Sequence, residues 1–329
     1  MRICIIGSSG HHGYALDAIK NDSDCQLVGI APGSEGENID GLQEKISRIG
    51  LQAPVYEDYR AMLDELKPDI AVVNCYFGDH AKVALEVLKR KIHIFIEKPI
   101  ATTLEDLELV KKEYENSGVH LAAMMGIRYK SHFLTAWESI KQGSIGKVRL
   151  MNAQKSYRLG SRSEFYKHRE SYGGTIPWVG SHAIDWMYWL SGEKFVSVYA
   201  SHSRQYNQDH GDLEVTALCH FTFTNEVFGG VNIDYLRPTT APTHDDDRIR
   251  IAGTEGVIEV RGGKVYLINN EAEGEQELPL LPEKNIFADF LRQVRGEGEC
   301  MVSAEDSFAV TEACLKARLS ADKQEVVYF

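Results

Sequence analysis

Between residues 2 and 125 the chain repeats one pattern. A short apolar run rich in β-branched residues is followed by a polar turn and then by an amphipathic segment. The runs are residues 2–6, 26–31, 70–75, 92–96 and 121–125. Between them lie helical segments at 14–20, at 57–66 with Tyr59, Met62, Leu63 and Leu66 on one face, and at 81–91 through Val83, Ala84, Val87 and Leu88. Another starts at Thr102 or Thr103, each with an acid three residues on, and carries Leu104, Leu107, Val110 and Tyr114. Runs this apolar are buried on both faces. Such strands, separated by helices, predict an α/β domain with a doubly wound, mostly parallel sheet.

The fourth run ends in Glu97-Lys98-Pro99. Proline cannot donate to a ladder, so the strand stops there. Ligands of open α/β sheets bind beyond the carboxyl ends of the strands. Lys98 therefore stands where a ligand is expected, while a surface ion pair is the competing reading of the tripeptide alone.

The first run leads into Gly7-Ser8-Ser9-Gly10-His11-His12-Gly13 and then a helix. A glycine turn opening a helix offers free amides and a positive dipole to a pyrophosphate. The spacing is G-x-x-G-x-x-G, with Ser9 where the usual middle glycine would be. Residues 1–125 therefore read as a Rossmann dinucleotide-binding domain, with Gly7, Ser9, Gly10, His11 and His12 as cofactor candidates and Ala31 at the end of the second run. No acid ends that run, since Glu35 and Glu37 follow in a loop, and no arginine is close by. The cofactor is NAD or NADP, without a choice between them.

With 329 residues and 43% hydrophobic composition, the chain has material for two domains. A net charge of −12 argues against nucleic acid as a partner. No apolar run approaches the ~18 residues of a membrane span. The first strand starts at residue 2, leaving no room for a signal peptide, so a cytoplasmic protein is expected. The six cysteines are scattered, and Cys4, Cys75 and Cys219 read as core residues, not as disulfide or zinc ligands.

After residue 125 the pattern changes. A helix carries Phe133, Leu134, Trp137 and Ile140. Strand-like runs follow at 147–156, 195–203, 214–223, 227–235, 248–252 and 257–261, and Gly262-Gly263 turns into 264–268. Helices are expected at about 181–190 and 303–320. This predicts an α+β domain, 126–329, with a large, mostly antiparallel open sheet for substrate binding and oligomerisation. Its C-terminal residues are candidates to pack back on the first domain. An open sheet needs cover, so a homo-oligomer, dimer or tetramer, is expected through this sheet.

The residues now carry a resemblance. The glycine turn, His80 seventeen residues before Glu97, Glu97-Lys98-Pro99 and Arg128-Tyr129 occur in order. Gly143-Ser144-Ile145-Gly146, the segment from Gly173 through Trp178, His182 and Asp185, and Gly253-Thr254-Glu255-Gly256 follow. Over nearly its full length the chain resembles the Gfo/Idh/MocA family, the glucose–fructose oxidoreductase and inositol dehydrogenase group. The resemblance implies an NAD(P)-dependent oxidoreductase acting on a sugar, polyol or cyclitol, with Lys98 and His182 as catalytic residues. It also implies cofactor contacts at Cys75, Tyr76, His80, Glu97 and Lys98.

The chemistry suits these types. Loss of a hydroxyl proton needs an acceptor near neutral pKa, which imidazole provides. An ammonium stabilises charge developing on that oxygen. Asp185, three residues after His182, can share its helix face. Arg128, Tyr157, Trp178 and Tyr235 join Asp185 as substrate candidates, with Arg158 a further hydroxyl contact. The loops 204–213 and 236–247 are expected to line the cleft between the domains. There are departures. Trp178 replaces an acid the family often has, and Cys75-Tyr76-Phe77 stands for Thr-Pro-Asn. His202, His210, His244 and Asp245-Asp246-Asp247, read as polar loop residues, have no metal-ligand spacing, so no metal is expected. A non-catalytic dinucleotide-binding sensor on the same scaffold is the alternative. A reductase that retains its cofactor is a third reading.

Overall fold

The computed structural model describes residues 1–329. The chain runs β1 (Arg2–Ile6), α1 (Gly13–Asn21), β2 (Gln26–Ala31), α2 (Asp40–Arg48), α3 (Tyr59–Leu66), β3 (Ile70–Val73), α4 (His80–Lys89), β4 (His93–Ile96), α5 (Leu104–Ser117) and β5 (Leu121–Ala123). It continues through α6 (Ser131–Lys141), β6 (Val148–Tyr157), the one-turn α7 (Arg169–Tyr172), α8 (Ser181–Ser191), β7 (Phe195–Ser203), β8 (Thr216–Phe223) and β9 (Val227–Asp234). Then come β10 (Asp245–Gly253), β11 (Gly256–Arg261), β12 (Lys264–Asn269), β13 (Gln276–Glu277), α9 (Ile286–Val294), α10 (Ala304–Lys323) and β14 (Val327–Tyr328).

Two compact units result. The first comprises Met1–Gly126, Glu170–Gly173 and Asn285–Thr311. Its five strands are parallel, in the order β2-β1-β3-β4-β5. The order reverses beside β1, so the ends of β1 and β3 flank the crevice where such sheets bind ligands. β3 is buried throughout, which is why its sequence is continuously apolar. Local caps fix the helices. Thr103 accepts from the Asp106 amide at 3.1 Å and Gly118 ends α5 with φ 71°. Besides the one-turn α7, two helices lie outside the segments expected to be helical. α2 buries only Leu42 and Ile46, too thin a stripe to stand out. α9 carries Ile286, Phe287, Phe290 and Leu291 behind an Asn285 cap, a helical pattern plainly written in the sequence.

The second unit comprises Ile127–Arg169, Gly174–Lys284 and Glu312–Phe329. Its nine strands run β13-β12-β11-β10-β6-β9-β8-β7-β14. Every neighbouring pair is antiparallel except β6 and β9. Helices α8 and α6 pack on one face, joined by the Phe133 and Trp186 rings 4.3 Å apart. α8 is buried nearly all round, with Ala183, Ile184, Trp186, Met187 and Leu190 in the core alongside the buried Ser181, His182 and Asp185. The other face exposes Leu150, Tyr199, Leu218 and Phe228. Asp245-Asp246-Asp247, expected in a loop, instead opens β10, opposite Tyr157, Ser156 and Lys155 of β6. The half-buried Asp247 accepts from the buried Lys155 ammonium at 2.6 Å, and that pairing permits a charged run inside a sheet.

Candidate active site

In the first unit the site begins at the turn between β1 and α1. Gly7 and Gly10 have φ of 86° and 84°, in the left-handed region. A Cβ at Gly7 would run into the backbone of Cys75, and one at Gly10 into the Glu97 carboxylate. Ser9 is outside the left-handed region, so glycine is not needed there. Its amide donates to the Asn74 carbonyl at 2.6 Å, and its carbonyl accepts from Asn74 Nδ2 at 2.9 Å. Ala31, the last residue of β2, accepts from the Gly7 amide at 2.8 Å. Buried Cys75 fills the space under the turn, and burial pushes its thiol well above the usual range. The Tyr76 amide donates to Ser34 Oγ at 3.1 Å.

The turn holds two carboxylates. Glu37 accepts from the amides of Ser8 at 2.9 Å, Gly33 at 2.9 Å and Ser34 at 3.2 Å. Sequence reasoning left Glu37 in a loop; the chain returns it to the end of β2. Burial raises its pKa against the pull of those amides. Glu97 accepts from the His11 amide at 2.6 Å and from His11 Nδ1 at 2.7 Å. Burial would raise the Glu97 pKa, but His11 and Lys98 outweigh it and hold it at about 2. Lys98 follows, 2% exposed, with Nζ 3.8 Å from Glu97 Oε1. His80 is fully buried, with Nδ1 2.7 Å from the Pro99 carbonyl and Nε2 3.1 Å from that of Cys75. It ties the end of β3 to the Lys98–Pro99 turn, and burial lowers its pKa. His12 Nδ1 is buried without a partner, and burial, with Lys45 nearby, pushes the imidazole down to about 4.

These residues fit a dinucleotide. The turn amides of Ser8 and His11 already donate to carboxylates, a side chain on Gly7 or Gly10 would fill the cradle, and His12 leaves a neutral ring nitrogen to donate or accept.

In the second unit His182 is 3% exposed in the first turn of α8. Asp185, one turn on, is locked to the buried Arg128. Arg128 Nε lies 3.0 and 3.1 Å from the two carboxylate oxygens, and its Nη2 lies 2.5 Å from one of them. These two substrate candidates therefore meet each other and fix the His182 face of α8. Trp178 precedes His182 by one turn. Its ring lies 4.5 Å from that of Tyr166 and 6.3 Å from that of Tyr235, which is 6.3 Å from Tyr157. Arg162, missed in the sequence, places its guanidinium 5.3 Å from Trp178 and 5.2 Å from Tyr235.

Comparison with known proteins matches both units. Residues 1–125 match the model described as oxidoreductase family, NAD-binding Rossmann fold. Residues 133–259 match the GFO/IDH/MocA C-terminal domain. A solved Thermotoga maritima protein, provisionally described as an oxidoreductase, is 53% identical over 100% of both chains, with a TM-score of 0.97. Myo-inositol 2-dehydrogenase of Thermotoga maritima is 24% identical, covering 93% of this chain and 92% of its own length. Glycosyl hydrolase family 109 protein 2 of Akkermansia muciniphila is 29% identical over 44% of this chain, which spans only 32% of that relative. The chain is an oxidoreductase with an NAD-binding Rossmann domain, and it belongs to the Gfo/Idh/MocA family.

Proposed function

We propose that this oxidoreductase interconverts a hydroxyl and a carbonyl on a sugar, polyol or cyclitol. The first unit binds the dinucleotide, and the second binds substrate and makes a homo-oligomer. The nicotinamide supplies hydride acceptance or donation when bound. The chain supplies charge and proton handling. The Lys98 ammonium stabilises negative charge on the substrate oxygen, and the His182 imidazole takes or returns the proton. Arg128 holds Asp185, and so keeps the helix turn carrying His182 in place. Glu97 and His80 anchor the segment carrying Lys98.

The observation that carries this reading is Lys98 itself. Lysine is seldom this buried without a task or a partner, and Lys98 stands directly past β4, at the carboxyl ends of the strands where ligands of such sheets bind. The inositol dehydrogenase relative supports the substrate class.

The test is turnover by Lys98→Met and His182→Ala across a panel of sugars and cyclitols. NADH binding is followed in parallel by fluorescence. Each variant is expected to lose about 10²–10⁴ in turnover while still binding NADH. Unchanged turnover in both variants sinks the assignment. A non-catalytic sensor is favoured by one feature, Trp178 in place of a carboxylate one turn before His182. NADH binding without turnover on any compound would move the reading there.

A further inference from the structure

The chain carries 48 acidic residues against 36 Lys and Arg, so an arginine without an acid is unexpected. Two such arginines lie together in the second unit. Arg158 follows β6 and bridges Leu236, just past the end of the neighbouring β9; its Nη2 donates to the Ala241 carbonyl. Arg162, four residues on, donates from Nη2 to the Arg158 carbonyl at 3.1 Å. In both side chains Nε is buried without an acceptor. Neither guanidinium has a carboxylate within ion-pair distance.

The acids of the same region are engaged elsewhere. Asp247 pairs with Lys155, Asp246 with Arg237 and Arg248, and Asp234 with Ser156 Oγ and the Leu236 amide. Asp245 is exposed. The Arg162 guanidinium lies beside the rings of both Trp178 and Tyr235, 5.3 and 5.2 Å from their centres, so the two aromatic faces restrain its donor fork. Trp178 stands one helical turn before His182, so this cationic, aromatic-walled cluster adjoins a proposed catalytic residue.

A hydroxyl-bearing ring asks for carboxylate or amide acceptors, whereas three of these acids are already engaged and the fourth, Asp245, is exposed. A planar, pre-oriented fork with unsatisfied donors asks for an oxyanion. We infer that the substrate carries an anionic group, a carboxylate or a phosphate, bound by Arg158 and Arg162, with its carbon skeleton against Trp178 and Tyr235. This deepens the dehydrogenase reading and rests on it for the word substrate.

The experiment compares glucuronate and gluconate, glucose 6-phosphate, and the neutral glucose and myo-inositol, each with saturating NAD. Wild type is expected to show kcat/KM on one anionic class at least about 100-fold above the neutral compounds, since a buried charge-assisted pair outweighs neutral hydrogen bonds. Which class is used separates carboxylate from phosphate. Arg162→Gln and Arg158→Gln should cut the anionic-to-neutral ratio by about 10-fold or more, chiefly through KM. Arg162→Lys, which keeps the charge but not the planar fork, should restore part of it, and Lys111→Gln, on the exposed face of α5, should not move it. Neutral compounds turned over as well as the anions would overturn the inference and leave the dehydrogenase standing. Where nothing is turned over, calorimetric titration of the NAD-loaded protein with glucuronate and glucose 6-phosphate decides. Binding lost in Arg162→Gln would uphold the anion site while the dehydrogenase reading falls. No binding of either would overturn the anion site.

Discussion

Glu37 is placed where it would bear on a 2′-phosphate of the cofactor. Its carboxylate reaches the Ser8 amide of the glycine turn and the Gly33 and Ser34 amides after β2, the strand end where an acid meets the ribose hydroxyls of NAD. A 2′-phosphate there would face a fixed like charge. Glu37→Gln is expected to improve NADPH affinity by roughly tenfold or more while changing NADH affinity less, because the repulsion acts only on the phosphate. Fluorescence titration with the two cofactors checks this; equal NADPH affinity in variant and wild type would remove Glu37 from cofactor choice. No sequence pattern announces this residue. It lies 29 positions from Ser8 and six past the end of β2, and only closure of the chain brings them together. Arg162 was hidden in the same way, its meaning set by two rings from other segments. Lys98 was legible because the strand before it and the proline after it are adjacent in sequence.

At the scale of the element, the turn between β1 and α1 explains its own spacing. Only Gly7 and Gly10 adopt positive φ within it, so Ser9 breaks the usual pattern without breaking the turn. Gly10→Ala would place a methyl in the left-handed region, at about 1–2 kcal/mol, and against the Glu97 carboxylate that holds the His11 amide. NADH affinity is expected to fall by about tenfold or more, with a lower Tm, whereas Ser9→Gly should change affinity by no more than a few-fold, the conformational cost of one added glycine. Thermal melts and NADH titration of the two variants test the account; a Ser9→Gly variant binding much more tightly would mean the serine impairs the cradle. Elements of this kind were legible wherever the signal was local. β7 runs over the residues expected, 195–203, and α5 starts behind the threonine cap. The charged start of β10 was not, because the Lys155 that neutralises Asp247 comes from β6, 92 residues away.

At the scale of the whole molecule, the nine-stranded sheet poses the remaining question. Its inner face is covered by α6 and α8, while Leu150 and Phe228 stand in register on β6 and β9 on the other face, with Leu218 and Tyr199 beyond them on β8 and β7. Large apolar side chains are thus spread along one face over four neighbouring strands, and exposed apolar surface of that kind marks association. No helix is long and apolar enough to cross a membrane. A second copy presenting the same face would bury it symmetrically. The protein is therefore expected to run as a dimer or tetramer by size-exclusion chromatography with light scattering. The double substitution Leu218→Glu with Phe228→Glu puts like charges into any such self-paired face and should shift it to monomer. Both positions point away from α6 and α8, so the circular dichroism spectrum should be retained. A wild-type protein that is monomeric at all concentrations, or a variant that keeps its assembly, would show that this face is not the one that associates.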